Sequence, residues 1–428
     1  MDPRPAAAPD VTFPPSPAGS AAAEWLHAVN DAAPDDTLEF YRTRYAKALL
    51  EEGSAERRRD IVHYLRGAEG RRRLRSIEHA SETRIVAILE TERTEGRQRL
   101  TIEVEPSPPH AIVKCAAEWT RPLDEAERRS LVDGIASTLQ RHYVFRDQAQ
   151  EMTLALRGHA ARGDYDAVRE SVEFATRVTA DLRAVSHDRH LSLEFGHVSA
   201  LPEPTKEQRR AWLRNANFGF GPIERLAGNV AHLVLDGFLD AEDDEARAGI
   251  GALMSKVADA DALIIDLRAN DGGSPTTLTL VASYLFDATP VHVSDVVRRD
   301  DGTTTQYWTL RDVEGERFGA QKPVYVITSK KTFSCAEAFA YHLQSLRRVT
   351  VVGETTGGGA HPCANYRLTD WFHLQVPWGR AIDPITKTNW ERAGVVPDVA
   401  VPADSALQEA YRRALAVKAA SGKPPNDR

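Results

Sequence analysis

The sequence is poor in sulfur: 428 residues carry three cysteines, Cys115, Cys335 and Cys363, and three methionines. No Cys-x-x-Cys pair and no zinc-ligand spacing occurs. A disulfide framework or structural zinc site is therefore not expected, and the odd number suits a reducing compartment. Net positive charge is also missing. At −8 the chain is a poor match for nucleic acid or an anionic membrane surface. The basic stretch from Arg57 to Arg75 is local and reads as a solvated helix face. No run approaches the ~18 apolar residues needed to span a bilayer. The start, "MDPRPAAAPDVTFPPSPAG", lacks the basic region and apolar core of a secretory signal. Neither G-x-x-x-x-G-K-[ST] nor G-x-S-x-G occurs, which argues against a phosphate loop and an α/β-hydrolase elbow. These absences point to a soluble, cytoplasmic protein, a removed leader aside, with no nucleic-acid or membrane partner.

What is present is ordinary globular composition, 42% hydrophobic and 27% charged, at a length that suggests about three domains. Residues 1–20 and 421–428 read as disordered tails. Residues 21–120 begin with helical periodicity to about Gly70. Three strand-like runs follow, "TRIVAILETER", "QRLTIEVEP" and "HAIVKCAAEW", an α+β layout. Residues 121–195 read as a helical subdomain, opened by Asp124 as a cap with Glu127 three residues on, and closed by the alternating strand "HLSLEF". From 196 to 420, apolar strands ("NVAHLVLDGF", "ALIIDLR", "KPVYVIT", "VTVVGE") alternate with helices. That pattern specifies a layered α/β domain with a largely parallel sheet.

Three stretches in this last region carry chemistry. In "VYVITSKKTFSCAEAFAYHLQSL", Ser334 heads an apolar-periodic helix. With Glu337 it satisfies a capping box. The same position also suits a nucleophile, because the free N–H groups and positive dipole end of a helix can hold an oxyanion. Cys335 is an alternative nucleophile, or a small buried residue. In "IIDLRANDGGSP" a buried strand delivers Asn270, Gly272 and Gly273 to its carboxyl end, where ligands bind in open α/β sheets. In "VVGETTGGGAHP" another strand enters a glycine-rich loop with His361, a ligand or a polar loop residue.

Taken in order, "ALIIDLRANDGG", "TSKKTFSCAEAFAY", "VVGETTGGGAHP" and "TNWERAGVVPDVAVPADSALQEA" resemble the tail-specific (C-terminal processing) serine peptidase family. The likeness is strongest to its branch with interphotoreceptor retinoid-binding protein and the tricorn core protease, over about residues 122–418. The resemblance implies a crotonase-like (ClpP-like) α/β core with a helical subdomain. The layout of residues 21–120 resembles nuclear-transport-factor-like cone domains. By this resemblance Ser334 is the nucleophile, and the N–H groups of Gly273 and Cys335 form an oxyanion hole, with Gly272 the nearest alternative. Many members pair serine with a lysine in "GExTxGKG". Here Gly359 takes the lysine position, so that dyad is absent, and Lys330 and Lys331 lie too close before Ser334 to replace it. The tricorn-like branch uses histidine oriented by glutamate. His190 in "SHDRHLSLEF" matches the family's D-G-H histidine, with Arg189 in place of glycine, and Glu391 matches the C-terminal glutamate. His187 is the runner-up base, and Ser186 and Asp188 could help hold the histidine.

A serine hydroxyl needs an adjacent base, imidazole titrates near neutrality, and a carboxylate fixes its tautomer. The expected activity is that of a serine peptidase or hydrolase acting on a peptide or small amide or ester, with no metal or organic cofactor. Self-association stays open. The stretch between "HLSLEF" and "NFGFGPIERL" is too short for a peptide-binding PDZ module, so processive recognition of protein C-termini is not expected. Two alternatives remain: binding of an apolar ligand without catalysis, which predicts Ser334 bonded only to its own helix beside a dry cavity, and acyl transfer or cyclisation by the same residues.

Overall fold

The structure is a computed structural model describing residues 11–52, 55–94, 96–196 and 205–420. The first four helices are α1 (Pro17–Asn30), α2 (Pro34–Arg44), α3 (Lys47–Glu52) and α4 (Ala55–Glu69). They precede an antiparallel sheet of β1 (Arg72–Ala80), β2 (Arg84–Thr91), β3 (Arg97–Val104) and β4 (Ile112–Thr120), paired in that order. Ala18, Ala21, Ala22 and Trp25 of α1 join Ile85, Leu89, Leu100 and Ile102 of the sheet in one core. Two expectations need correction. The N-terminal tail ends before residue 20: Ser16 caps α1 by accepting from Gly19 N–H at 3.1 Å, and Ala18 is fully buried. Residues 1–10 and 421–428 lie outside the described residues. The second correction is that Arg72 to Arg75 are strand, not a solvated helix face. Arg72 is buried, with Glu69 at 2.6 Å and Gln98 at 2.8 Å. Cross-strand pairing and a buried ion pair override the helical look of an arginine-rich run.

α5 (Glu125–His142), α6 (Arg146–Ala161) and α7 (Ser171–Ser186) follow, with Asp124 accepting from Glu127 N–H at 2.8 Å as a cap. β5 (Ser192–Phe195) then pairs with a strand far along the chain, Phe372–Pro377. The helical layer thus shares its core, including Leu139, Phe174 and Leu191, with Phe372, Leu374 and Val376.

The remaining elements are α8 (Lys206–Asn215), β6 (Phe220–Leu226), β7 (Val230–Leu235), α9 (Asp244–Ser255), β8 (Ala262–Asp266), α10 (Pro275–Ser283), β9 (His292–Arg298) and β10 (Thr304–Trp308). After them come β11 (Val324–Thr328), α11 (Cys335–Ser345), β12 (Thr350–Gly353), β13 (Cys363–Arg367), β14 (Phe372–Pro377), β15 (Gly379–Ile382), β16 (Val399–Ala400) and α12 (Ala403–Ala420). Six strands form the central sheet in the order β16-β12-β11-β8-β7-β6, parallel throughout except β6. The continuous apolar runs follow from burial on both faces. Leu263 and Ile265 face a core with residues of α9, α10 and α11, while Ala262 and Ile264 face Ala406, Ala410 and Ala414 of α12. The "YRLTDWFHLQVP" segment forms a hairpin, β13 against β14. Among the described residues no helix is long and apolar enough to cross a membrane.

The carboxyl ends of β8, β11 and β12 open into three loops tied to one another. Leu267 N–H donates to Ile327 O at 3.0 Å, Phe333 N–H to Asn270 O at 3.1 Å, and Gly357 N–H to Thr332 O at 3.0 Å. The three stretches singled out in the sequence therefore meet at one edge of the sheet, where parallel sheets place ligands.

Candidate active site

Ser334 sits between the end of β11 and the start of α11 at φ 54°, ψ −121°. A positive φ at a non-glycine residue is strained and persists only where its surroundings enforce it. Glu337 does so from one turn along α11. Its Oε2 accepts from Ser334 N–H at 2.8 Å and from Gly359 N–H at 2.9 Å, and its Oε1 accepts from Gly358 N–H at 2.6 Å and from the Thr356 hydroxyl. Glu337 is fully buried, and that burial pushes its carboxyl above the usual range against the pull of these donors. In the sequence it reads as a capping residue; here it also clamps the glycine-rich loop onto the serine. The spacing signals the cap, whereas the clamp comes from strand order and leaves no local mark.

Ser334 Oγ lies 3.0 Å from His190 Nε2. His190 precedes β5 and is 6% exposed, its ring packed beside Phe333 at a centroid distance of 4.7 Å. Its backbone N–H donates to Asp188 Oδ1 at 3.0 Å. Burial pushes the imidazole down to about 4; the Asp188 carboxylate raises it, while the charges of His361 and Arg183 lower it further. The ring is therefore neutral near pH 7, the form that accepts a proton. Arg189, which replaces the resembling family's glycine, donates to Gly357 O at 2.6 Å and lies 5.6 Å from the Phe333 ring centroid. It fastens the histidine segment to the glycine loop.

Glu391 is not where the triad expectation puts it. No hydrogen bond or ion pair joins it to His190, whose Nδ1 is buried without a partner, as is Glu391 Oε1. Glu391 Oε2 accepts from Ala360 N–H at 2.7 Å and lies 3.5 Å from His361 Nδ1. Asp188 Oδ2 lies 3.2 Å from the same nitrogen, and Tyr143 donates to that oxygen at 3.3 Å. His361, from the glycine-rich loop, thus contacts both carboxylates. Asp188 is 1% exposed. Burial raises its carboxyl, but hydrogen bonding and charge from His361, with the charge of His190, hold it below the usual range. Glu391 is pushed up, first by burial. The donor atoms of Asp188, His361 and Glu391 all lie within 4.8 Å of one another, so these are residues that could hold a metal ion. They also satisfy one another as a carboxylate–imidazole–carboxylate cluster.

The backbone donors sort clearly. Gly272 N–H is already given to Asn270 Oδ1 at 2.9 Å, which removes Gly272 as an alternative oxyanion donor. No such bond engages Gly273 N–H or Cys335 N–H among the described residues. Asn270 also donates to Leu235 O at 2.8 Å, so its role is to shape the loop. A Cβ on Gly272 would meet Ser334 Cβ at 2.8 Å, and one on Gly273 would meet Phe238 O at 2.1 Å, with φ at 120° and 131°. Only glycine fits either place. Ser186, fully buried, accepts from Asp188 N–H at 3.2 Å. His187 is exposed at the left-handed end of α7, which sets it aside as a base. Burial pushes the Cys335 thiol well up, against a role as nucleophile.

At Gly359 a Cβ would meet Phe333 Cζ at 2.3 Å and His190 Cε1 at 2.7 Å. A lysine there and the observed histidine compete for the same space. Gly359→Ala is expected to displace the imidazole and lower kcat by about 10²-fold, the cost of a ~1 Å misplacement of a reacting group. Unchanged kcat in a folded variant contradicts this packing.

Residues 229–401 match peptidase family S41, and residues 125–215 match the N-terminal domain of that family in eukaryotic interphotoreceptor retinoid-binding protein. Among curated proteins, the chain is 27% identical over 175 residues to the chloroplastic carboxyl-terminal-processing peptidase 2 of Arabidopsis thaliana. That match covers 40% of this chain and 32% of the relative. It is 28% identical over 143 residues to the tail-specific protease of Haemophilus influenzae, covering 32% and 18%. The chain thus spans a third or less of the curated relatives it matches. Among solved structures, a putative peptidase from Parabacteroides merdae aligns over 67% of this chain and 96% of its own, at 17% identity and a TM-score of 0.48.

Proposed function

Because this chain belongs to peptidase family S41, we propose that it is a serine hydrolase in which Ser334 attacks and His190 carries the proton, acting on a peptide or a small amide or ester. The observation that carries this reading is the 3.0 Å contact between Ser334 Oγ and His190 Nε2, within reach for proton transfer. As Oγ adds to the substrate carbonyl, Nε2 takes the hydroxyl proton. The oxygen of the tetrahedral adduct accepts hydrogen bonds from Gly273 and Cys335 N–H. His190 returns the proton to the departing amine or alcohol. Water, activated by the same imidazole, then releases the acyl group. Glu391 acts here as a positioning residue through His361, and Asp188 is the carboxylate that steadies the imidazolium. The Ser–His–Glu triad becomes a Ser–His pair backed by a carboxylate–imidazole–carboxylate cluster. Apolar-ligand binding without catalysis has less support, because Ser334 does not bond only within its own helix and the neighbouring cleft is lined by charges.

The same reading assigns the parallel sheet and its helices to a crotonase-like core, residues 121–195 to the helical subdomain, and the N-terminal unit from α1 to residue 120 to a nuclear-transport-factor-like cone. Three free thiols suit a cytoplasmic setting.

The test is the pH dependence of turnover. The catalytic form has His190 neutral, and burial holds its pKa near 4 instead of the ordinary 6.5. The acidic limb of kcat/KM is expected near pH 4, with full activity kept at pH 6, and His190→Gln removes the limb along with most of the activity. An acidic limb at pH 6.5 or above contradicts the assignment. The same shift affects stability. The unfolded chain protonates this histidine near pH 6.5 and the folded chain only near 4, so its contribution is complete above 6.5 and declines as pH falls toward 4.

A further inference from the structure

We propose that the first turn of α6, with Arg146 and Arg299, forms an oxyanion-binding site for a carboxylate or phosphate group, separate from the serine. A cleft of about 890 Å³ is lined by Phe145, Arg146 and Gln148 at the start of α6 and by Arg298, Arg299 and Arg380. Arg146 and Arg299 also line an adjoining cavity of about 340 Å³ with Arg157, Gln150 and Thr153, a lining that contains no carboxylate.

Three observations converge. The Arg299 side chain is only 7% exposed, yet its Nε and Nη1 have no hydrogen-bond partner. Only Nη2 is engaged, donating to Gln140 O at 2.6 Å, and the nearest carboxylate, exposed Asp300, stands 3.9 Å away. A buried guanidinium left this way is costly unless an anion completes it. Second, no side chain caps α6: Phe145 occupies the cap position, so the first N–H groups and the positive end of a 16-residue helix face the cleft. Third, Arg146, exposed in that first turn, makes no ion pair among the described residues, and its charge adds to burial in lowering the Arg299 pKa, against the pull of Asp300. Two like charges are held near each other, and the one carboxylate that pairs with either of them among the described residues is the exposed, distant Asp300. Thr153, 2% exposed with an unpartnered hydroxyl, adds a donor in the smaller cavity. Of the carboxylates lining the larger cleft, Asp188 and Glu391 face His361, and Asp147 makes no ion pair with either arginine among the described residues. Guanidinium forks and helix N–H groups both match the geometry of a carboxylate or phosphate.

The experiment is thermal unfolding of the full chain at pH 7.5 and fixed ionic strength, with chloride exchanged stepwise for inorganic phosphate, or with an acetylated tripeptide as free acid or as C-terminal amide. The expected result is a saturable rise in Tm with phosphate, with the free acid, or with both, and none with the amide. Which anion acts separates a phosphate site from a chain-terminus site. Arg299→Gln and, independently, the exposed Arg146→Gln should each weaken the apparent affinity at least tenfold, the loss expected for a charge-assisted hydrogen bond. In chloride alone Arg299→Gln should unfold no earlier than wild type, since it removes a buried charge whose only carboxylate is the exposed Asp300 at 3.9 Å. If that variant does not fold, the Arg146→Gln comparison decides. No saturable rise with any oxyanion, equal rises with acid and amide, or an Arg146→Gln titration matching wild type would overturn the proposal.

Discussion

Ser334→Ala is expected to lower turnover of any cleaved substrate by about 10⁴-fold or more, the scale on which removal of an activated serine acts, while Tm stays within a few degrees of wild type. The change removes only Oγ. Alanine keeps the Cβ, so the strained φ of 54° is unaltered, and the backbone N–H of residue 334 still donates to Glu337. His190 loses its partner at Nε2, a cost of about 1–3 kcal/mol for a buried acceptor, which a domain of this size registers as a few degrees of Tm. Residual activity would come from Gly273 and Cys335 N–H polarising the carbonyl. Turnover assays paired with thermal unfolding check both halves. Equal turnover by the two proteins removes the serine from the chemistry, and a collapse of Tm would mean the hydroxyl is structural.

Glu337→Ala is expected to have the largest effect on stability, about 3–5 kcal/mol, in the range for removing one partner from a buried charged network. Four donors lose their acceptor at once: the N–H groups of Ser334, Gly358 and Gly359 and the Thr356 hydroxyl. Each unsatisfied buried donor costs roughly 1–3 kcal/mol, moderated by relaxation into the vacated space. Glu337→Gln should also fall short of wild type, because its NH₂ group must face a backbone N–H at either position: that of Gly358 at Oε1, or those of Ser334 and Gly359 at Oε2. Denaturant unfolding of the three proteins is the measurement. A change below about 1 kcal/mol for alanine, the scale of a lost cap, would return Glu337 to an ordinary capping role.

The sequence made the parallel sheet legible because doubly covered strands are continuous apolar runs. "ALIID" and "VYVIT" are buried at every position, and runs this short and this rich in β-branched residues read as strand. Ser334, Gly272 and Gly273 were legible for the same reason: each follows the end of such a strand. β1 was not. Its arginines alternate imperfectly, with two register shifts against β2, so neither period dominates and only the partner strand decides. The partnership of β5 with β14 joins residues about 180 apart, and nothing local announces it. The site divides along the same line. His190 could be named from its motif. That Glu391 would face His361 instead depends on how the loop after β12 folds back, held by Glu337 and by Trp390 Nε1–H donating to Gly359 O at 2.9 Å. Such third-party contacts leave no spacing to read.

The most direct measurement of the central claim is active-site labelling with a fluorophosphonate, read by intact mass on wild type, Ser334→Ala and His190→Ala. The account predicts one adduct on the wild type and none on either variant, because the probe reports a serine made nucleophilic by its base. An adduct retained in folded Ser334→Ala, or undiminished labelling in His190→Ala, would contradict it.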